Sequence, residues 1–470
     1  MPNRLLRHFN IVGVAVYLVA LLVASLCFRT YALKALWMAW GVAAVLFFFG
    51  LSDVFYQRWR DDSTKVFLRK VFWVALGIRA VYATAILYYY YYQTGIGMEY
   101  QVGDSLNYHR GAAYIADLAR EGHFSEIFLF LKNTTMGFSD QGYVLYLGTL
   151  YTVFGKNILG PRLLKALMSA AMCVSIYRLA SRSLGERTGK LAAVMAVFLP
   201  QFIHYTGTYM KETEMVFLAT LALERMDFLI RSKRYTFWNV LSPILLTALT
   251  FGFRTIVGMI LIVSFVIFVM LDAELALSKR NKAIMLGLVA VVTAVFFFTP
   301  IGGEMRLIFR VNFHESNYLT EKYQYLGLKY AEYARHEYLA PGAFTLPLTN
   351  LVEVANENQK LMNGTYFVKN HLAFFALWCI VAALRERRWR SFSLVGSYTL
   401  IYIVTIALSF ACMSERYHLP ALPGMLIMAA FAMTHFRKKD FAFFYSYETL
   451  LLVAIVAWNY LKLSARGLIF

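Results

Sequence analysis

Runs of about 20 apolar residues recur along nearly the whole chain, and a helix of that length crosses roughly 30 Å of hydrocarbon. They fall near 9–28, 34–54, 71–92, 158–178, 189–209, 212–230, 236–253, 255–273, 281–299, 371–385, 391–412, 418–434 and 443–461. Within a bilayer a backbone must satisfy its own hydrogen bonds, so an open chain of such runs has to be helical. The expected fold is therefore all-α, a polytopic membrane protein of about 13 transmembrane helices. Only 16% of the residues are charged and 60% are apolar, too few charges for an ordinary soluble surface. The first run does not read as a cleaved leader, because no small-residue cleavage site follows it and a second run comes at once.

Basic residues concentrate in alternate short connections. One set comprises Arg4 and Arg7, then Arg58, Arg60, Lys65, Arg69 and Lys70, then Arg178, Arg182, Arg187 and Lys190. It continues through Arg231, Lys233 and Arg234, Lys279, Arg280 and Lys282, Arg385 to Arg390, and Arg437 to Lys439. The positive-inside rule puts this face and the N-terminus in the cytoplasm. The net charge of +19 then records orientation in the membrane, and nucleic-acid binding is not expected.

Two long segments, 93–157 and 300–370, fall on the outer face, and chemistry is expected there. Four regions follow: residues 1–70, a transmembrane hairpin with a basic inner loop; 71–300, a transmembrane core containing the outer loop 93–157; 301–370, a Tyr-rich outer loop; and 371–470, the last helices. Amphipathic helices are expected in both outer loops. Cys27, Cys173, Cys379 and Cys412 lie in or beside apolar runs without metal-like spacing, and His314, His336 and His371 have none either. No metal or cofactor is expected.

In the first outer loop, Tyr108, Ala112, Ile115 and Ala119 recur at helical spacing, which predicts a helix lying along the membrane surface with Asp104 at its start. Free N–H groups and the helix dipole keep a carboxylate ionised there, as a general base requires. An N-cap role for Asp104 or Ser105 explains the same placement. Arg79 sits inside the third run and is expected to brace the bundle. Tyr318, Tyr323, Tyr325, Tyr330, Tyr333 and Tyr338 suit either sugar contact or an interfacial aromatic belt.

The order of several motifs resembles a known family. Asp104 is followed by Tyr108 and an Ala-rich helix; Gly142-Tyr143 enters a helix ending in Phe154-Gly155. Arg162-Leu163-Leu164, Tyr177-Arg178-Leu179-Ala180, Phe198-Leu199-Pro200 and Lys211-Glu212 follow, and Arg416-Tyr417-His418-Leu419-Pro420-Ala421-Leu422-Pro423 enters a late span. Together, over roughly 71–230 and 410–435, they resemble GT-C class membrane glycosyltransferases. More narrowly the chain is similar to glycosyltransferase family 39, which includes protein O-mannosyltransferases and aminoarabinose transferases.

That resemblance implies a GT-C fold in a bacterial inner membrane. It also implies inverting transfer of a sugar from a polyprenyl-phosphate donor to a glycan, lipid or protein hydroxyl on the periplasmic face. Asp104 matches the family's base. Many members carry a second acidic residue next to the first, where this chain has Ser105, which leaves Asp140, Glu99 or no residue for that role. A departing phosphate calls for cations at headgroup depth, and Lys211, Arg254, Arg416 and Arg162 stand at span ends, where snorkelling is the alternative account. Tyr417, Asp140 and Tyr108 complete the expected substrate-binding set. Glu212 and Glu214 follow Lys211 and Glu415 precedes Arg416, so each cation is expected to be held by its chain neighbour. An O-antigen polymerase or ligase would rely instead on outer arginines with Asp104 dispensable. A transporter or flippase would show inverted repeats and mid-membrane charge.

Overall fold

The computed structural model describes residues 2–99, 103–133, 138–271, 278–298, 303, 342–353, 357–408 and 413–469. The tyrosines expected at 318–338, His314, His336 and Cys412 lie outside these residues. The chain opens with a hairpin, α1 (Pro2–Cys27) and α2 (Ala35–Trp59), followed by α3 (Thr64–Thr94). Next come α4 (Gly103–Glu121), α5 (Phe124–Asn133) and α6 (Phe138–Phe154). The central stretch holds α7 (Leu159–Leu184), α8 (Glu186–Phe198), α9 (Pro200–Gly207), α10 (Glu212–Ser232), α11 (Phe237–Phe253), α12 (Thr255–Leu271) and α13 (Lys279–Phe297). The last part holds α14 (Glu357–Leu361), α15 (Asn363–Arg385), α16 (Ser393–Leu408), α17 (Leu422–Thr434) and α18 (Phe441–Ser464). Among the described residues there is no strand, only an isolated bridge between Ala32 and Val352.

The chain is an all-α, multi-pass membrane protein. Eight described helices are long and apolar enough to cross a bilayer: α1, α2, α3, α7, α15, and α16 to α18 with their leading turns. α11, α12 and Lys282–Val291 of α13 are shorter apolar helices. The run expected at 189–209 is not continuous. It divides into α8 and α9 at Leu199, which is extended (φ −62°, ψ 116°) ahead of Pro200. Proline has no N–H and disfavours the helical conformation of the residue before it.

That break explains the charge inside α3. Pro200 leaves the Ala196 carbonyl without its helical donor, and the Arg79 guanidinium donates to it at 2.9 Å and to the Val197 carbonyl at 3.1 Å. Its Nε donates to Ser169 Oγ of α7 at 2.7 Å. Arg79 is fully buried and ties α3, α7 and α8 together, as a bracing residue should.

Close helix contacts rest on small residues, as membrane bundles require. A Cβ placed on Gly142 of α6 would lie 2.4 Å from the Gly252 carbonyl oxygen of α11, whereas one on Gly252 would meet Gly142 Cα at an ordinary 3.5 Å. Gly142→Ala is therefore expected to lower thermal stability by about 1–3 kcal/mol, with Gly252→Ala close to wild type. Thermal unfolding in detergent of the two variants side by side checks this, and equal stabilities would contradict it.

The tip of the α1–α2 hairpin clasps the chain returning into α15. Leu33 N–H donates to the Leu351 carbonyl at 3.2 Å and Glu353 N–H to the Tyr31 carbonyl at 2.7 Å. Lys34 N–H donates to Glu353 Oε1 at 2.8 Å, and Trp40 Nε1 donates to the Leu361 carbonyl at 2.7 Å. Fully buried Asn363 accepts from Tyr17 and donates to the Trp37 carbonyl. The far ends of the helices are braced by ion pairs, Arg182 with Glu224 and Asp227 and Arg385 with Asp440.

Candidate active site

The helix expected after Asp104 is α4, and its buried face holds Ser105, Tyr108, Ala112, Ile115, Ala116 and Leu118. Tyr108, Ala112 and Ile115 are buried as the spacing requires, while Ala119 is half-buried. Asp104 lies in the first turn with its side chain 49% exposed, and its Oδ2 accepts from Arg416 Nη1 at 2.7 Å. This places two residues 312 positions apart in direct contact.

Arg416 is presented by a 3₁₀ turn, Glu415–Ala421, that leads into α17. In such a turn residues three apart share a face. Glu415 and His418 accordingly point inward and are buried, leaving Arg416 and Tyr417 half-buried on another side. Arg416 Nη2 donates to the Tyr417 hydroxyl at 2.9 Å. The Tyr417 ring carries two guanidinium groups, Arg254 at 4.6 Å and Arg416 at 4.9 Å from its centroid. Such cation–π contacts hold like charges together that would otherwise repel. Arg254 reaches this position from an extended residue (φ −163°, ψ 108°) between α11 and α12.

A second group stands beside the first. Lys211 Nζ donates to Asp140 Oδ1, which also accepts from the Tyr108 hydroxyl at 2.9 Å. Burial, then the Asp140 charge, hold the Tyr108 phenol above its ordinary value, so it stays a donor. His109, one position on, is pushed below its ordinary value by burial and then by Lys156 and Arg110. Glu212, 3% exposed, lies within electrostatic reach of Lys211, Arg254 and Arg416. The cluster thus sets three carboxylates, Asp104, Asp140 and Glu212, against these three cations. Asp104 and Asp140, with side chains 49% and 29% exposed, are the accessible ones.

The structure therefore brings together Asp104, Arg416, Tyr417 and Arg254, with Lys211, Asp140 and Tyr108 adjoining. Arg162 stands apart. It is fully buried, donates to the Gly97 carbonyl at 2.8 Å and lies over the Tyr209 ring at 5.8 Å. It faces the buried polar layer behind the cluster rather than the exposed carboxylates.

Two of the expected neighbour pairings, Glu415 with Arg416 and Glu214 with Lys211, are corrected, while Glu212 remains within electrostatic reach of Lys211. Arg416 pairs with Asp104 while Glu415 pairs with Lys369 at 3.2 Å. Lys211 pairs with Asp140 while Glu214 pairs with Lys165 at 3.5 Å. Successive residues of a helix or tight turn project in different directions, so adjacency in the chain seldom makes a contact. The one signal for Lys165 in the sequence is a lysine within an apolar run, which demands a partner without naming it. Among the described residues no group of His, Cys, Asp or Glu is arranged to hold a metal ion.

Residues 143–301 match a family model described as dolichyl-phosphate-mannose-protein mannosyltransferase. The matched stretch runs from α6 through α13 and includes Lys211, Glu212 and Arg254. Asp104 and Arg416 lie outside it and meet it only in space. The likeness agrees with the family resemblance carried by the sequence motifs. A comparison with curated proteins finds no match.

Proposed function

We propose that the protein is an inverting glycosyltransferase that moves a sugar from a polyprenyl-phosphate donor to an acceptor hydroxyl at the periplasmic face of a bacterial inner membrane. The observation that carries this reading is the 2.7 Å contact between Asp104 and Arg416, which sets an accessible carboxylate beside a cation suited to phosphate. The family match supports the donor class. In the proposed step Asp104 takes the proton of the acceptor hydroxyl as its oxygen bonds to the anomeric carbon. The bond from that carbon to the phosphate oxygen breaks, and the phosphate leaves with the electron pair. One direct displacement inverts the anomeric centre and needs no protein nucleophile. Arg416, Arg254 and Lys211 offset the charge that develops on the phosphate, where preorganised donors have their largest effect. Asp140, which also accepts from the Tyr108 hydroxyl, holds Lys211, and Tyr417 holds the two arginines.

The test is a transfer assay in detergent or proteoliposomes with a panel of polyprenyl-phosphate sugars and glycan, lipid and peptide acceptors. Transfer from a member of the panel with inverted anomeric configuration is expected, along with released polyprenyl phosphate. Arg254→Gln should lower kcat by about tenfold or more, with a smaller effect on the donor KM. Lipid translocation without transfer, or full turnover with Asp104 removed, would replace this reading with the transporter or the polymerase.

A further inference from the structure

Glu99 lies in the short link between α3 and α4, is 1% exposed, and touches both halves of the candidate site from behind. Its Oε1 accepts from Ser105 Oγ, the residue after Asp104. Its Oε2 accepts from the Tyr209 backbone N–H at 3.0 Å, two residues before Lys211.

The second contact falls on a break in the helices. Between α9 and α10 the chain runs as Thr208–Lys211, and its backbone groups need donors and acceptors from elsewhere. Lys165 supplies donors to the Thr208 and Met210 carbonyls, and Glu99 supplies the acceptor for the N–H between them. Arg162, held to the Gly97 carbonyl two residues before Glu99, places a positive charge beside this carboxylate. The Tyr209 hydroxyl is bonded in turn to Tyr151, which is bonded to His109 of α4 at 2.7 Å. One carboxylate thus joins the turn that carries Asp104 to the turn that carries Lys211.

We propose that Glu99 is a positioning residue that fixes the distance between Asp104 and Lys211, a role that rests on the transferase reading above. It touches no reacting atom. Each carboxylate oxygen takes one donor, so a side chain without acceptors at this position releases both turns. Glutamine can keep both contacts, its oxygen accepting from the Tyr209 N–H and its amide nitrogen donating to the Ser105 hydroxyl, which accepts as well as donates, whereas leucine keeps neither. A displacement of about 1 Å at a reacting pair can lower turnover by about a hundredfold.

The experiment compares wild type, Glu99→Leu, Glu99→Gln, Ser105→Ala and the Glu99→Leu/Ser105→Ala double variant by transfer kinetics, thermal unfolding and amide hydrogen exchange on the full chain in detergent. Glu99→Leu should lower kcat by about tenfold or more with the donor KM within about threefold, and Glu99→Gln, which can keep both contacts, should recover most of that loss. Ser105→Ala should lose less, and the double variant should be no worse than Glu99→Leu, because the two residues act through one contact. Exchange should rise together over 103–111 and 207–212 in Glu99→Leu, and over 103–111 alone in Ser105→Ala. Wild-type kcat in Glu99→Leu, Glu99→Gln as impaired as Glu99→Leu, additive losses in the double variant, or exchange rising across the whole bundle would overturn the proposal. Should wild type transfer no sugar while exchange still rises jointly, the transferase reading falls and the bridge between the two turns stands.

Discussion

Asparagine in place of Asp104 is expected to lower kcat by about 10²- to 10⁴-fold while leaving the donor KM within a few-fold. The amide keeps the shape of the side chain and can still accept from Arg416, but it cannot take the acceptor's proton. The fold should hardly register the change. The Asp104 side chain is 49% exposed and Arg416's 28%, and an ion pair that open to water contributes about 0–1 kcal/mol. Loss of turnover at an unchanged melting temperature therefore separates chemistry from structure. Turnover like wild type would remove Asp104 as the base. A melting temperature that falls in step with activity would show that Asp104 acts as a structural cap.

Methionine in place of Lys369 is expected to do the opposite, lowering stability by about 3–5 kcal/mol. The side chains of Lys369 and Glu415 are 0% and 1% exposed and 3.2 Å apart. Glu415 also accepts from Gln201 Nε2 at 3.1 Å. Removing the lysine leaves a carboxylate deep in the bundle without its countercharge. It also frees the Leu346 carbonyl, to which Lys369 donates. Pairing Lys369→Met with Glu415→Gln removes both charges together, and most of the lost stability should return. Unfolding curves of both single variants and the double variant make a closed cycle that isolates the pair's coupling. A double variant as unstable as Lys369→Met would show that the lysine's value lies in the carbonyl contact.

These two expectations mark what was legible in the chain and what was not. Periodicity alone found the inward face of α4, because Tyr108, Ala112 and Ile115 repeat at the helical interval. Motif order, taken from a family resemblance, assembled Asp104, Arg416 and Lys211 into one candidate set. No spacing rule joins Asp104 to Arg416 across 312 positions. Hydropathy passed over the break at Pro200 although Phe198-Leu199-Pro200 was in plain view, since averaging along a window does not register a missing N–H. The sequence offers Glu99 only as an alternative for a second acidic role and gives no sign of Lys369, because their partners are backbone groups or distant side chains. A buried polar residue announces that it needs a partner but not where that partner lies.

The clasp between the first two helices and the segment entering α15 bears on any shortened version of this protein. A chain beginning at residue 64 would keep every residue of the candidate site. It would nevertheless strip the Leu351 and Leu361 carbonyls and the Glu353 N–H of their partners in the hairpin and take two of Asn363's. Leu351 and Leu361 are buried, and a buried backbone group left without a partner costs stability. The opening pair of helices, which holds no residue of the candidate site, is therefore expected to stabilise the bundle that carries it, and α18 clasps the same segment from the other end through Asn459 and Tyr447.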